Sequence, residues 1–100
     1  MTIHSHILTD QKTALITVSG RFDFSRASEF QETYKKYPEN QHHFILDLAN
    51  AEYVDSCALG ILLDLNRHSL NGNSLIIQNA NQLIKDTMRA LRIDTLIKVE

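Results

Sequence analysis

Residues 53–59, YVDSCAL, set a carboxylate, a hydroxyl and a thiol side by side between a strand-like segment and an apolar, helix-like one. Ser56 falls at or beside a helix N-cap, where its hydroxyl can accept from a first-turn N–H and stabilise the helix by about 1 kcal/mol. Taken alone, capping is the plainer use, because serine is a favoured cap. The same place also suits a hydroxyl offered for modification. The first N–H groups of a helix lack intrahelical partners, and the helix dipole adds roughly half a positive charge. A phosphate on Ser56, carrying about −1.5 to −2 charges, would therefore sit where negative charge is tolerated. A docked partner with acidic or apolar groups over the helix start would not tolerate it.

A nucleophilic Ser56 would need a base within hydrogen-bond reach, usually a histidine oriented by a third group. By position the histidines have other places: His4 and His6 on an edge strand, His42 and His43 just before a strand, His68 late on a helix. No G-x-S-x-G pattern is present, and the residues point away from an enzyme. Cys57 beside a helix start could be a reactive thiol; a small, partly buried side chain is the favoured reading. His4-x-His6 and His42-His43 could each be half a metal site, but two further ligands are wanting. No phosphate-binding or dinucleotide glycine pattern occurs, so neither metal nor cofactor is expected.

The elements that must position Ser56 follow from periodicity. Residues 14–18, ALITV, are apolar and β-branched and end at Ser19-Gly20, a strand signal. Residues 3–8 are a weaker strand, joined to it through the polar stretch 9–13. Phe24, Ala27, Phe30, Tyr34 and Tyr37 recur at spacings of three and four, lining one face of a helix and suggesting core packing. Ser25 is its plausible N-cap, and Pro38 stops it. Residues 43–48, HFILDL, make a nearly continuous apolar run and read as a strand buried on both faces, or close to it. Leu59, Leu62, Leu63 and Leu70 mark the next helix, interrupted by Asn66 and closed by Asn71-Gly72-Asn73, with Gly72 able to take a left-handed cap. Residues 74–78 form a strand, Asn81 begins a helix carrying Leu83, Ile84, Thr87, Met88 and Leu91, and residues 95–99 form a last short strand. The order ββαβαβαβ implies right-handed βαβ crossovers. The fold class is α/β: a mixed, mostly parallel sheet of about five strands with three helices mainly on one face.

Composition bounds the rest. One hundred residues, 43% apolar and 22% charged, suit one globular domain over residues 1–100. A net charge of −2 with one adjacent lysine pair, Lys35-Lys36, gives no basic footprint for nucleic acid. The single cysteine permits no intrachain disulfide and fits a reducing compartment. The N-terminal residues lack the basic start and apolar core of a signal peptide, and no apolar run approaches a membrane span. A cytoplasmic protein, monomeric and not bound to membrane, is expected.

Two motifs resemble a known family. DLANAEYVDSCALGILLDL is similar to the central motif of STAS-domain anti-sigma factor antagonists: an apolar strand ending in Asp-Leu, an apolar pair, Asp-Ser, a small residue, and Leu-Gly before a helix. SGRFDFSRASEF resembles the family's earlier motif, a glycine followed by an aspartate before the first helix. The order of elements is also the family's, so the resemblance covers nearly the whole chain. It implies partner switching. The unmodified protein would bind an anti-sigma factor that is also a serine kinase, phosphorylation of Ser56 from ATP would release it, and a PP2C-type serine phosphatase would reset the system, with transcription regulation as the output. Asp23, Asp55, Ser56, Cys57 and Ala58 would form the partner-binding surface. Ala58 stands where the family usually has glycine, Arg21 where an acidic residue is common, and Arg92-Ile93-Asp94 where a Ser-Gly-like turn is usual. The rival role within the family is a small subunit of a lipid-transport ABC complex, bound to its ATPase with no phosphorylation cycle. Those proteins tend to have threonine after the aspartate.

Overall fold

The structure is a computed structural model describing residues 2–100. Its strands are β1 (Thr2–Ile7), β2 (Thr13–Phe22), β3 (His43–Val54), β4 (Leu75–Gln78) and β5 (Lys98–Val99). Its α-helices are α1 (Ala27–Lys35), α2 (Ser56–His68) and α3 (Gln82–Ala90). The strands form one sheet in the order β1-β2-β3-β4-β5. β1 pairs antiparallel with β2, and every other pairing is parallel. The expected ββαβαβαβ order and mixed sheet are what the chain adopts.

Alternation along the strands sorts the two faces. Ala14, Ile16 and Val18 on β2, Phe44, Leu46 and Leu48 on β3, and Leu75 and Ile77 on β4 are buried. The residues between them, Leu15, Thr17, Ile45, Asp47, Ile76 and Gln78, are only half-buried. Successive strand side chains point to opposite faces, so this split means one covered face and one open one, and residues 43–48 are buried on one face and not on both as expected. The helices contribute Phe30 and Tyr34 from α1, Ala58, Leu59, Ile61, Leu62 and Leu65 from α2, and Ile84 and Met88 from α3 to the shared core. Each fully buried leucine or phenylalanine there stabilises the fold by about 1.5–3 kcal/mol.

Several boundaries differ from the sequence reading, and each has a physical cause. Ser19-Gly20 does not end β2. The strand continues to Phe22, with Gly20 at φ +83°, a backbone geometry that suits glycine because it has no Cβ. β3 likewise runs past Leu48 to Val54. Its residues 49–52, ANAE, have little intrinsic strand preference, so their extended form comes from pairing with β2. The register steps twice: Thr17 faces Asp47 but Ser19 faces Asn50, and Gly20 faces Ala51 but Arg21 faces Tyr53. Each step leaves one extra residue on β3, as in a β-bulge, which bends a strand and re-aims its side chains. Burial on β3 accordingly moves from Leu48 to Ala51 and then Val54, and the chain reaches Asp55 alongside the end of β2.

Elsewhere, residues 95–97 do not join the last strand; Ile93–Thr95 is a 3-10 turn and β5 is only Lys98–Val99. On α3, Ile84 and Met88 are buried, but Leu83 and, at the C-cap just past the helix, Leu91 are exposed. Asn66 does not interrupt α2. It is buried, its Oδ1 accepts from Leu75 N–H at 3.2 Å, and its Nδ2 donates to Asn73 Oδ1 at 3.1 Å. Gly72 does take positive φ, but in the turn after the extended C-cap residue Ser69.

Candidate functional site

The last residues of β2 and β3 are paired, Phe22 with Val54, and the chain leaves both strands at one end of the sheet. There the Asp55 N–H donates to the Phe22 carbonyl at 3.3 Å. Asp55 has extended backbone angles and is the N-cap of α2. Its Oδ1 accepts from Ala58 N–H at 2.8 Å, and its main-chain oxygen accepts from Leu59 N–H at 3.1 Å. The other carboxylate oxygen, Oδ2, reaches across to accept from Phe24 N–H at 3.0 Å. One aspartate thus closes the first turn of α2 and ties it to the segment after β2.

This corrects the plainer reading of Ser56. The cap must sit in extended geometry just before the first helical residue, and Asp55 holds that position. Ser56 is the first residue of α2. Its side chain is exposed, and among the described residues its hydroxyl makes no hydrogen bond. Among the same residues, the Ser56 and Cys57 N–H groups have no protein acceptor either, as expected for the opening residues of a helix. Cys57 is exposed rather than partly buried. Ala58 is fully buried, so its side chain cannot line a partner surface; it belongs to the core beneath Ser56.

Asp23 is brought to the same place. It caps the 3-10 turn Phe24–Arg26, accepting from Ser25 N–H at 3.0 Å and from Ser25 Oγ at 2.5 Å. Ser25 is therefore a donor to the cap rather than the cap of α1, which begins only at Ala27 with no side-chain cap. The Ser25 hydroxyl, then its N–H, then Arg21 and Arg26 hold the Asp23 carboxyl below the usual carboxylate range. Arg21 lies 3.8 Å from Asp23 and stacks over the Tyr53 ring at 4.2 Å from its centroid. Its own side chain is 62% exposed.

Phe24 was missed. The three-and-four spacing assigned it to the core stripe, but it is 72% exposed. The stripe is real from Phe30 onward, since Phe30 and Tyr34 are buried. Phe24 sits on the tighter 3-10 turn, whose three residues per turn put it out of phase with α1.

The histidines do not converge on Ser56. His4 and His6 lie on β1, His43 opens β3, and His68 Nε2 contacts the Tyr37 carbonyl at 2.7 Å at the far end of α2. Among the described residues no group of three or more His, Cys, Asp or Glu side chains could hold a metal ion, and no helix is long and apolar enough to cross a membrane. What the arrangement offers chemically is an unengaged hydroxyl at a helix start, held beside two structurally occupied carboxylates.

Comparison with known proteins bears on the family. The family model described as Mlab, STAS domain, matches residues 6–98. A STAS-domain containing protein of Pseudomonas aeruginosa is 31% identical over 91 residues, covering 90% of each chain. The fold is similar to an anti-sigma factor antagonist from Mycobacterium paratuberculosis, with a TM-score of 0.80 at 14% identity over 98% of this chain and 85% of that one. It is also similar to the STAS domain of a SulP transporter from Vibrio cholerae, with a TM-score of 0.67 at 19% identity over 92% of this chain and 74% of that one. The match over nearly the whole chain, on a sheet and helices in the same arrangement, establishes that this chain belongs to the STAS-domain family.

Proposed function

We propose that the protein is an anti-sigma factor antagonist that works by partner switching. In this reading its unphosphorylated form binds an anti-sigma factor that is also a serine kinase. Phosphorylation of Ser56 releases that partner, and a PP2C-type serine phosphatase restores binding. The observation that carries the reading is the division of labour at the start of α2: Asp55 supplies the cap, and the exposed Ser56 hydroxyl has no structural task. A side chain in that position can be modified without removing an interaction the fold uses.

The energetics suit a switch. A dianion buried without a partner in an interface is costly, whereas in the free domain the unpartnered N–H groups and dipole of α2 accommodate it. Affinity would therefore change while the core stays as it is; each factor of ten requires about 1.4 kcal/mol. Incubation with the cognate kinase and ATP, followed by mass spectrometry, should place phosphate on Ser56; phosphate found elsewhere rejects the reading. Ser56→Ala should hold the partner constitutively.

A second reading takes the family's other role, a subunit of a lipid-transport ABC complex docked on its ATPase; what favours it is the matching family model, described as Mlab, STAS domain. It needs no modified hydroxyl. Neighbouring genes separate the two, kinase and phosphatase genes favouring the switch and transporter genes the subunit.

A further inference from the structure

We infer that Phe24 is the apolar anchor by which the domain docks its kinase, and that Arg21 beside it selects a partner pocket with an acidic rim. The inference rests on the partner-switch reading and deepens it, because that reading names Ser56 but no residue whose burial would supply affinity.

Phe24 is the most exposed of the exposed large hydrophobic side chains among the described residues, at 72%. A phenylalanine held in water forgoes roughly 1.5–3 kcal/mol of burial, and a mobile loop could fold its ring back onto the protein. Phe24 is not on such a loop. Its N–H is held by Asp55 Oδ2, and the turn it begins is closed by Asp23 through both Ser25 donors. Two carboxylates from different segments thus fix the backbone of a residue whose ring remains exposed. Aromatic side chains carried on a fixed backbone dominate interface energetics when they enter a pocket, since only the ring's own torsions remain to be ordered on docking.

Charge specifies the pocket. Asp23 and Asp55 are occupied by backbone donors, whereas the side chains of Phe24, Ser56 and Arg21 are exposed around this end of the sheet. Arg21 is pre-oriented by stacking on Tyr53 and by its ion pair with Asp23. A matching surface has an apolar cavity for the ring and a carboxylate for the guanidinium. The coupling to phosphorylation is direct: Asp55 Oδ2 binds Phe24, and the next residue is Ser56. A dianion there would lie beside the anchor and oppose the acidic rim, so one modification weakens both contacts.

The test is steady-state phosphorylation of purified domain by the purified cognate kinase with ATP. Phe24→Ala should raise the KM for the domain at least thirtyfold and leave kcat within twofold, with an unchanged melting curve because the ring packs on little. Phe24→Leu, which keeps an apolar side chain, should raise KM less than fivefold. Arg21→Glu should raise KM about tenfold, with the sensitivity to salt that an ion pair requires. Leu96→Ala removes another exposed apolar side chain, 56% accessible, just before β5 at the opposite end of the sheet, and should change nothing. If wild type is phosphorylated on Ser56 and Phe24→Ala keeps its KM, the anchor is wrong and the switch survives. If the kinase places no phosphate on wild-type Ser56, the switch fails and the anchor fails with it.

Discussion

The two ends of α2 are built on opposite plans. At its C-terminal end nearly every polar group is spoken for. Ser69, fully buried, donates to the Asn66 carbonyl at 2.5 Å and accepts from Ser74 N–H at 2.7 Å. Asn66 ties α2 to β4 and to the turn at Asn73. Leu70 N–H donates to the His42 carbonyl at 2.8 Å, and Asn40 N–H to the His68 carbonyl at 3.0 Å. Tyr34 donates to Asp64, which also binds Arg67. At the N-terminal end a single residue, Asp55, does the structural work, and Ser56 and Cys57 are left outward and unengaged. The contrast teaches where change can be absorbed. Buried polar groups that satisfy one another resist alteration, because losing one partner strands the other. A hydroxyl with no partner can be altered freely, so a switch belongs at the loose end of the helix and not at the bound one.

The largest effect that would sharpen this comparison is at the bound end. Asn66→Ala should destabilise the fold by about 3 kcal/mol, since it strands the buried Leu75 N–H and leaves a small cavity; urea denaturation reads it. A loss under about 1 kcal/mol would break the contrast. Next is Ser56→Asp at the loose end. It should weaken partner binding at least a hundredfold, about 2.7 kcal/mol, while the melting temperature stays within about 3 °C. A large fall in stability would mean that Ser56 supports the helix after all. Asp55→Ala should cost about 1–2 kcal/mol, as expected for a lost cap, and should loosen Phe24 as well, which hydrogen exchange at the Phe24 amide would report.

Tyr34→Phe should cost about 1–2 kcal/mol near neutrality, through loss of a hydrogen bond to a charged acceptor. Its pH dependence has a definite sign. The Tyr34 hydroxyl, then Arg67, hold the Asp64 carboxyl below its ordinary value of 3.8. A carboxyl with a depressed folded-state pKa stabilises the fold fully above its unfolded value, and that stabilisation is lost as pH falls through the folded value. The gap between Tyr34→Phe and wild type should therefore be flat between about pH 5 and 7 and narrow below about pH 4. At the alkaline side, burial first and then Asp64 push the Tyr34 hydroxyl upward, so wild type should begin to lose stability above about pH 10, and less so in the variant. The smallest effect is Gly60→Ala on the exposed side of α2. An added Cβ there meets nothing within 4 Å, and the helix should gain about 0.5–1 kcal/mol. If partner affinity falls at the same time, the docking surface extends one turn beyond Ser56.

Much of the fold was legible because the local signals agree with the global one. The apolar runs ALITV and HFILDL, the apolar stripe of α2, and Asn81 before α3 all name elements that the chain forms, and Asn81 is indeed the N-cap, accepting from Ile84 N–H at 2.8 Å. The order of elements alone implied a mostly parallel sheet. Where reading failed, the missing information was a neighbour. Residues 49–52 become strand only because β2 lies alongside. Leu83, and Leu91 at the C-cap, match the helical period but lie on the outward side of α3, which no periodicity can reveal, since it gives a face and not its direction.

The candidate site divides in the same way. By itself the amino-acid sequence determined that an aspartate, a serine and a cysteine would meet a helix start, and its resemblance to a family named the hydroxyl to watch. Residue types and spacing suffice for that, because helix starts have local chemistry. Only the tertiary structure decided which residue would cap, which would stand free, and that Asp55 would hold Phe24 across a gap of many residues. Those outcomes depend on the bulged register that delivers β3 beside the end of β2. Register is a property of paired strands, and neither strand carries it alone.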